Sequence, residues 1–153
     1  GTAYLWLDRP DGMPHTFCCL QTTARGWLRI GLLLLNEGRV GDDQVVPAEW
    51  VRAMTTPAAT NPNFGYQVWL GSPEGGVRRY SSKSVAVAHH SEPYVAPDVV
   101  FIDGFGGQRV YVVPSQRLVI VRTGQSAMNW DDARLPNAIL KGLKPLPGQG
   151  ETP

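Results

Sequence analysis

The sequence is short of several things, and each shortage excludes a class. No apolar stretch exceeds Leu32–Leu35, extended backwards only through Gly31 and Ile30. A membrane-spanning helix needs ~20 such residues, so none is expected. No basic tract is longer than the pair Arg78-Arg79, and 14 basic residues nearly cancel 13 acidic ones. That balance leaves no electrostatic footprint for nucleic acid. Cysteine is limited to the adjacent pair Cys18-Cys19. Bonding neighbours closes a strained ring, so two free thiols are expected rather than a disulfide framework. Charged residues are only 18% of the 153, which excludes a highly charged disordered chain. The N-terminus, Gly1-Thr2-Ala3-Tyr4, has neither an initiator Met nor a signal-peptide pattern.

What is present is turn chemistry and β-rich runs. The 17 glycines and 13 prolines suit a sheet protein with many turns. Tyr4–Leu7 reads as a short strand, followed by a turn at Asp8–Gly12. The clearest helix spans 22–37, capped by Thr22 or Thr23 and stopped at Gly38. Only Arg29 interrupts its apolar middle, so it is expected to be buried on most sides. A second helix starts at Pro47, with Trp50, Val51 and Met54 on one face, and ends at Thr56-Pro57.

Phe64–Leu70 alternates like a strand. Residues 71–98 lack periodicity and read as a long loop. Val99–Asp103, Gly107–Val113 and Arg117–Thr123 read as three strands, the last two joined by a hairpin at Pro114-Ser115-Gln116. Val119–Val121 suggests a strand covered on both faces. A closing helix spans Asp131–Leu143, capped by Asp131 or Asp132, and a Pro/Gly-rich tail follows at 145–153. The expected class is α+β: an antiparallel sheet flanked by helices.

Four groups of residues invite chemical readings. Asp103-Gly104-Phe105-Gly106-Gly107-Gln108 is a tight turn or bulge by spacing, and its N–H groups also suit an anion or oxyanion. His89-His90 could be joined by His15, Cys18 and Cys19 as metal ligands, but the spacing matches no standard zinc module. No metal or cofactor is therefore expected. Ser81-Ser82-Lys83-Ser84 lacks the three- or four-residue spacing of a helical Ser/Lys pair and reads as a polar surface loop. Trp50, Tyr66 and Trp69 read first as core residues and second as the lining of a groove.

Several segments carry a resemblance. The run Leu20–Gly38, containing Thr23-Ala24-Arg25 and Leu32–Leu35, resembles a helix of the serine β-lactamase-related hydrolases. These include class C β-lactamases, DD-peptidases, esterases and aminohexanoate-oligomer hydrolases. Val45–Val51 resembles their next helix, Phe64–Trp69 an aromatic strand, and Gly104–Pro114 with Leu118–Thr123 their glycine-rich strand and its hairpin partner. The resemblance covers nearly all of residues 4–143.

The resemblance implies a β-lactamase/transpeptidase-like fold, incomplete at its N-terminal side, with residues 1–153 as the C-terminal portion of one domain. It implies acyl transfer at an amide or ester bond of a small-molecule substrate. Phe105, Gly106, Gly107, Gln108 and Tyr66 would then line the oxyanion and substrate site. No catalytic residue is assigned in this chain, because no Ser-x-x-Lys, Tyr-x-Asn or Ser-x-Asn occurs. Phe105 stands where a charged residue often heads the third motif, which argues against recognition of a β-lactam carboxylate.

The expected partner is therefore the missing N-terminal part of the domain, or a second copy meeting an exposed sheet edge. The chain alone is expected to be inactive. A parent of this family would be periplasmic or secreted, with its export signal outside this chain. The alternative is a non-catalytic module that binds a ligand or peptide on an aromatic-lined surface.

Overall fold

The structure, a computed structural model, describes residues 2–15 and 18–143. The tail expected at 145–153 lies outside them. In chain order the strands and helices are β1 (Ala3–Leu5), β2 (Leu20–Thr22), α1 (Ala24–Leu35), β3 (Arg39–Val40), β4 (Asp43–Gln44) and α2 (Ala48–Met54). Then follow β5 (Trp69–Leu70), β6 (Val77–Arg79), β7 (Val87–His89), β8 (Val100–Gly104), β9 (Gln108–Val113), β10 (Leu118–Arg122) and α3 (Arg134–Gly142). The chain is a small mixed α/β protein with antiparallel sheets and three helices among the described residues.

The main sheet runs β10-β9-β8-β5, antiparallel throughout. Its centre is β9, in which Arg109 to Val113 are all buried. Alternation divides these residues between two faces. On one face Phe101 lies opposite Tyr111 and joins a core with Trp69, Tyr94, Val99, Val113, Ile120 and Ala133. Leu135, Ile139 and Leu140 of α3 pack against that core. On the other face α1 lies over β9 and β10. Contact there is close: a Cβ on Gly31 would stand 2.5 Å from Val119 Cγ1 and 2.9 Å from Val110 Cγ1.

The ends of α1 follow local chemistry. Thr23 caps it by accepting a hydrogen bond from Gly26 N–H, and Gly38, at φ 86°, returns its N–H to Leu33 O. The expected burial on most sides is not found. Only Gly31 and Leu35 are buried, while Leu28 and Leu32 face outward, because the sheet covers a single side of the helix. On α2, Val51 is buried but Trp50 is half exposed.

Three other expectations need correction. Phe64–Leu70 is not one strand: Phe64 bridges to Trp69, Gly65 N–H donates to Val68 O, and Gln67 takes φ 59°. The left-handed Gln67 turns the run back on itself, leaving Trp69–Leu70 in the sheet. The span 71–98 is not structureless, since β6 and β7 form an antiparallel hairpin within it. The doubly covered strand is β9, and β10 is a half-buried edge.

Cys18 and Cys19 are not free thiols: they form a disulfide. Adjacency holds their Cα atoms 3.7 Å apart, below the usual disulfide range of about 4.4–6.8 Å. Cys19 takes φ 75°, the left-handed backbone that lets so small a ring close.

Candidate functional site

The turn at 104–108 joins β8 to β9 and is tied down from every side. Gly106 and Gly107 take φ 71° and 79°, conformations that glycine adopts without strain. They are also places with no room for a side chain. A Cβ on Gly106 would meet Ser126 Oγ at 2.5 Å, and one on Gly107 would meet Trp130 Cβ at 2.9 Å. Both glycines are buried under residues 126–130, whereas Phe105 at the tip is 85% exposed.

The carbonyl of Gly106 accepts from Ala127 N at 2.9 Å, from Arg122 Nη1 at 3.1 Å and from Gln108 Nε2 at 3.5 Å. A trans peptide sets its C=O and N–H on opposite sides. The Gly107 N–H is therefore aimed away from those donors. Gln108 adds a two-way clamp on Gly124, donating to its O and accepting from its N, both at 3.0 Å.

Beneath the turn lies a ring of four charges that pattern reading did not identify. Arg78 donates from Nε to Asp132 at 2.8 Å and from Nη2 to Asp103 at 2.6 Å. Arg109 donates from Nε to Asp132 at 2.8 Å and from Nη1 to Asp103 at 2.5 Å. Two guanidiniums and two carboxylates thus close a neutral square, with Arg78, Arg109 and Asp132 buried and Asp103 partly buried. Arg109 Nη1 also donates to Gly104 O at 3.0 Å and to Gln108 O at 2.8 Å. One buried guanidinium therefore holds both legs of the turn.

Arg78 also lies over aromatic rings, with its guanidinium carbon 4.1 Å from the Trp69 centroid and 4.9 Å from that of Tyr80. Stacking suits a guanidinium deprived of water. Burial works to lower the Arg78 pKa, but Asp132 and Asp103 outweigh it, and the net shift is upward. Among the described residues, Arg78 Nη1 has no hydrogen-bond partner.

His90 sits beside this ring, 2% exposed, with its edge set against Tyr94 at 4.7 Å. Neither ring nitrogen has a hydrogen-bond partner among the described residues. Burial lowers its pKa and prevails over the opposing pull of Asp132 and Asp131. The imidazole is therefore neutral at pH 7. Burial likewise pushes the Tyr111 hydroxyl up, against a hydrogen bond from Trp130 Nε1 at 3.0 Å.

Asp131 and Asp132, both candidate helix caps, divide the work. Asp131 accepts from Ala133 N and Ser91 N just before α3, and Asp132 turns into the ring. Tyr66 stands apart from these contacts. It stacks on Trp50 with centroids 5.4 Å apart, and both rings are about half exposed. Two open clefts of about 470 and 490 Å³ lie beside α2. Tyr66 lines the second, and neither includes residues 105–108.

Ser81–Ser84 lies at the tip of the β6–β7 hairpin, where Ser84 Oγ bonds locally with Ala86. His89 is exposed on β7. Neither it nor His90 belongs to the cluster formed by His15, Cys18 and Cys19.

A charged residue on the core face of a strand was the available signal for the ring. Arg109 shares a face with Tyr111 and Val113, and Asp103 with Phe101. A charge so placed requires a buried partner. Compared with known proteins, the chain matches no family model and no curated protein.

Proposed function

We propose that the chain is the C-terminal part of a serine hydrolase related to the β-lactamases, acting on amide or ester bonds through an acyl-enzyme. In this reading the nucleophilic Ser, its Lys and a proton-relaying Tyr come from an N-terminal part of the same domain. Ser attacks the carbonyl while Lys and Tyr move the proton. The chain described here contributes the wall of the site, made of Phe105, Gly106, Gly107, Gln108 and Tyr66.

The observation that supports the reading most is the locked turn. Oxyanion stabilisation depends on N–H donors fixed in place before charge develops. Gly106 O is pinned by three donors and both legs of the turn are held by Arg109. The amide of Gly107 or Gln108 then serves as an oxyanion donor. The exposed Phe105 offers an apolar contact in place of a charged head residue.

The test is the coding sequence upstream of Gly1. An in-frame Ser-x-x-Lys followed by a Tyr-x-Asn is expected, and their absence from the parent gene contradicts the reading. The joined polypeptide should react with an active-site serine probe, whereas residues 1–153 alone should not. Stoichiometric labelling of the 153-residue chain would also contradict it.

One observation favours a second reading, a non-catalytic module that binds a ligand or peptide. The stacked Trp50 and Tyr66 present a half-exposed aromatic pair at the surface. Saturable quenching of Trp50 fluorescence by a peptide, lost in Trp50→Ala and without any N-terminal part present, would support that reading over the hydrolase.

A further inference from the structure

We propose that the β6–β7 hairpin is an acid-released flap over the head of the main sheet, with His90 as the group that takes up the proton. The hairpin forms a two-stranded sheet of its own, outside the four-stranded one. Of residues 77–90, only Arg78, Ala88 and His90 are buried, so a narrow inner face holds it down. Arg78 reaches Asp103 and Asp132, and His89 O accepts from Asp132 N at 2.9 Å. Just before β6, Gly75 and Gly76 take φ 75° and 74°, two successive left-handed residues that can serve as a hinge.

His90 is the weak member of that inner face. It is buried with its edge against Tyr94, and among the described residues neither ring nitrogen is hydrogen-bonded. Charged groups face it from the elements around it: Asp132 and Asp131 ahead of α3, Arg78 on β6 and Glu92 after β7. The carboxylates among them are already engaged. Asp132 accepts from Arg109 at Oδ1 and from Arg78 at Oδ2, and Asp131 Oδ1 accepts from Ser91 N and Ala133 N. Glu92 accepts from Lys141. A proton on the imidazole adds a charge and a second N–H donor to a place where Asp132 already serves two guanidiniums.

Burial, opposed by Asp132 and Asp131, keeps the His90 pKa below the ordinary histidine value. In water the same ring takes its proton near pH 6.5. Acid therefore favours the open hairpin, in which the imidazole is hydrated. Opening also draws Arg78 off Asp103 and Asp132, and it uncovers the rings of Trp69 and Tyr94 against which Arg78 and His90 pack. Arg109 stays on both carboxylates and on both legs of the 104–108 turn. The flap thus moves while the turn is kept.

The experiment is hydrogen exchange of the whole chain, read at His90 N–H, which donates to Gly76 O at 3.1 Å. Its protection factor, taken relative to the intrinsic rate at each pH, is compared with those of Arg109–Val113 on β9. At pH 7.5 His90 N–H should be at least about tenfold less protected than the slowest of these β9 amides, as a local opening requires. Between pH 7.5 and 5.5 its protection should fall by at least about threefold and at most about tenfold, the effect of one proton taken up near 6.5. His90→Phe should remove the fall, and His89→Gln, at the exposed neighbouring histidine, should leave it. Far-UV circular dichroism at each pH shows that the fold is retained. Equal protection of His90 and β9 overturns the proposal, since the hairpin then opens only with the whole fold. Protection that is unchanged or raised in acid also overturns it, as does a fall that survives in folded His90→Phe or vanishes in His89→Gln.

Discussion

The two ends of this molecule are held by opposite means. At the head of the main sheet, residues distant in sequence lock together: Arg78 pairs with Asp132 across 54 positions, and Arg109 reaches both legs of the 104–108 turn. At the N-terminus, β1 and β2 pair over three residues, while Tyr4, Leu5, Trp6, Leu7 and Met13 are exposed. The sheet end keeps its charged side chains inside, and the N-terminal segment keeps apolar side chains outside.

Breaking the charge ring should have the largest effect. Asp132→Ala leaves two buried guanidiniums short of a carboxylate. Removing one partner of a buried pair costs about 3–5 kcal/mol, a large share of a domain's 5–15 kcal/mol. Loss of most of the urea-unfolding midpoint is expected. Arg109→Lys keeps a charge but loses the fork that spans Asp103, Asp132 and the two turn carbonyls. A loss of about 1–3 kcal/mol is expected in the same measurement.

Gly31→Ala probes the opposite face of the sheet. The added methyl would stand 2.5 Å from a stiff Val119 branch. Overpacking of this kind costs about 1–3 kcal/mol, partly offset by the ~1 kcal/mol that Ala gains over Gly in a helix. A modest net loss in Tm is expected.

Acid should act at the sheet end through His90. Its folded pKa is lowered, chiefly by burial, so the unfolded chain binds the proton more readily. Stability from this group is present above the unfolded value near 6.5 and is lost as pH falls through it, by at most about 1.4 kcal/mol per pH unit. Urea midpoints at pH 7.5 and 5.5 check this, and His90→Phe should flatten the difference. The smallest effect belongs to the N-terminal hairpin: Trp6→Ser should change stability by less than about 0.5 kcal/mol. A larger loss would mean that this region is part of the core.

Much of the fold was legible because it is local. Thr23 and Gly38 mark the ends of α1, and the runs around β8, β9 and β10 with the Pro114 turn mark the meander. Elements decided by distant contacts were not. The β6–β7 hairpin has strands of three residues, too short for a period to show. Gln67 adopts a left-handed turn that its residue type does not announce. The disulfide depends on the conformation of Cys19, which spacing cannot supply. Of the candidate site, the glycine turn was visible as a motif. Its clamp was not, since Asp132 reads as a helix cap until Arg78 and Arg109 are seen around it.

The account centres on a turn held by buried charge, set against an N-terminal segment held by short strand pairings. Native-state hydrogen exchange measures both at once. Amides of β8 and of β9 from Arg109 to Val113 should exchange only with global unfolding, and those of residues 3–7 orders of magnitude faster. Equal protection in the two regions would contradict it.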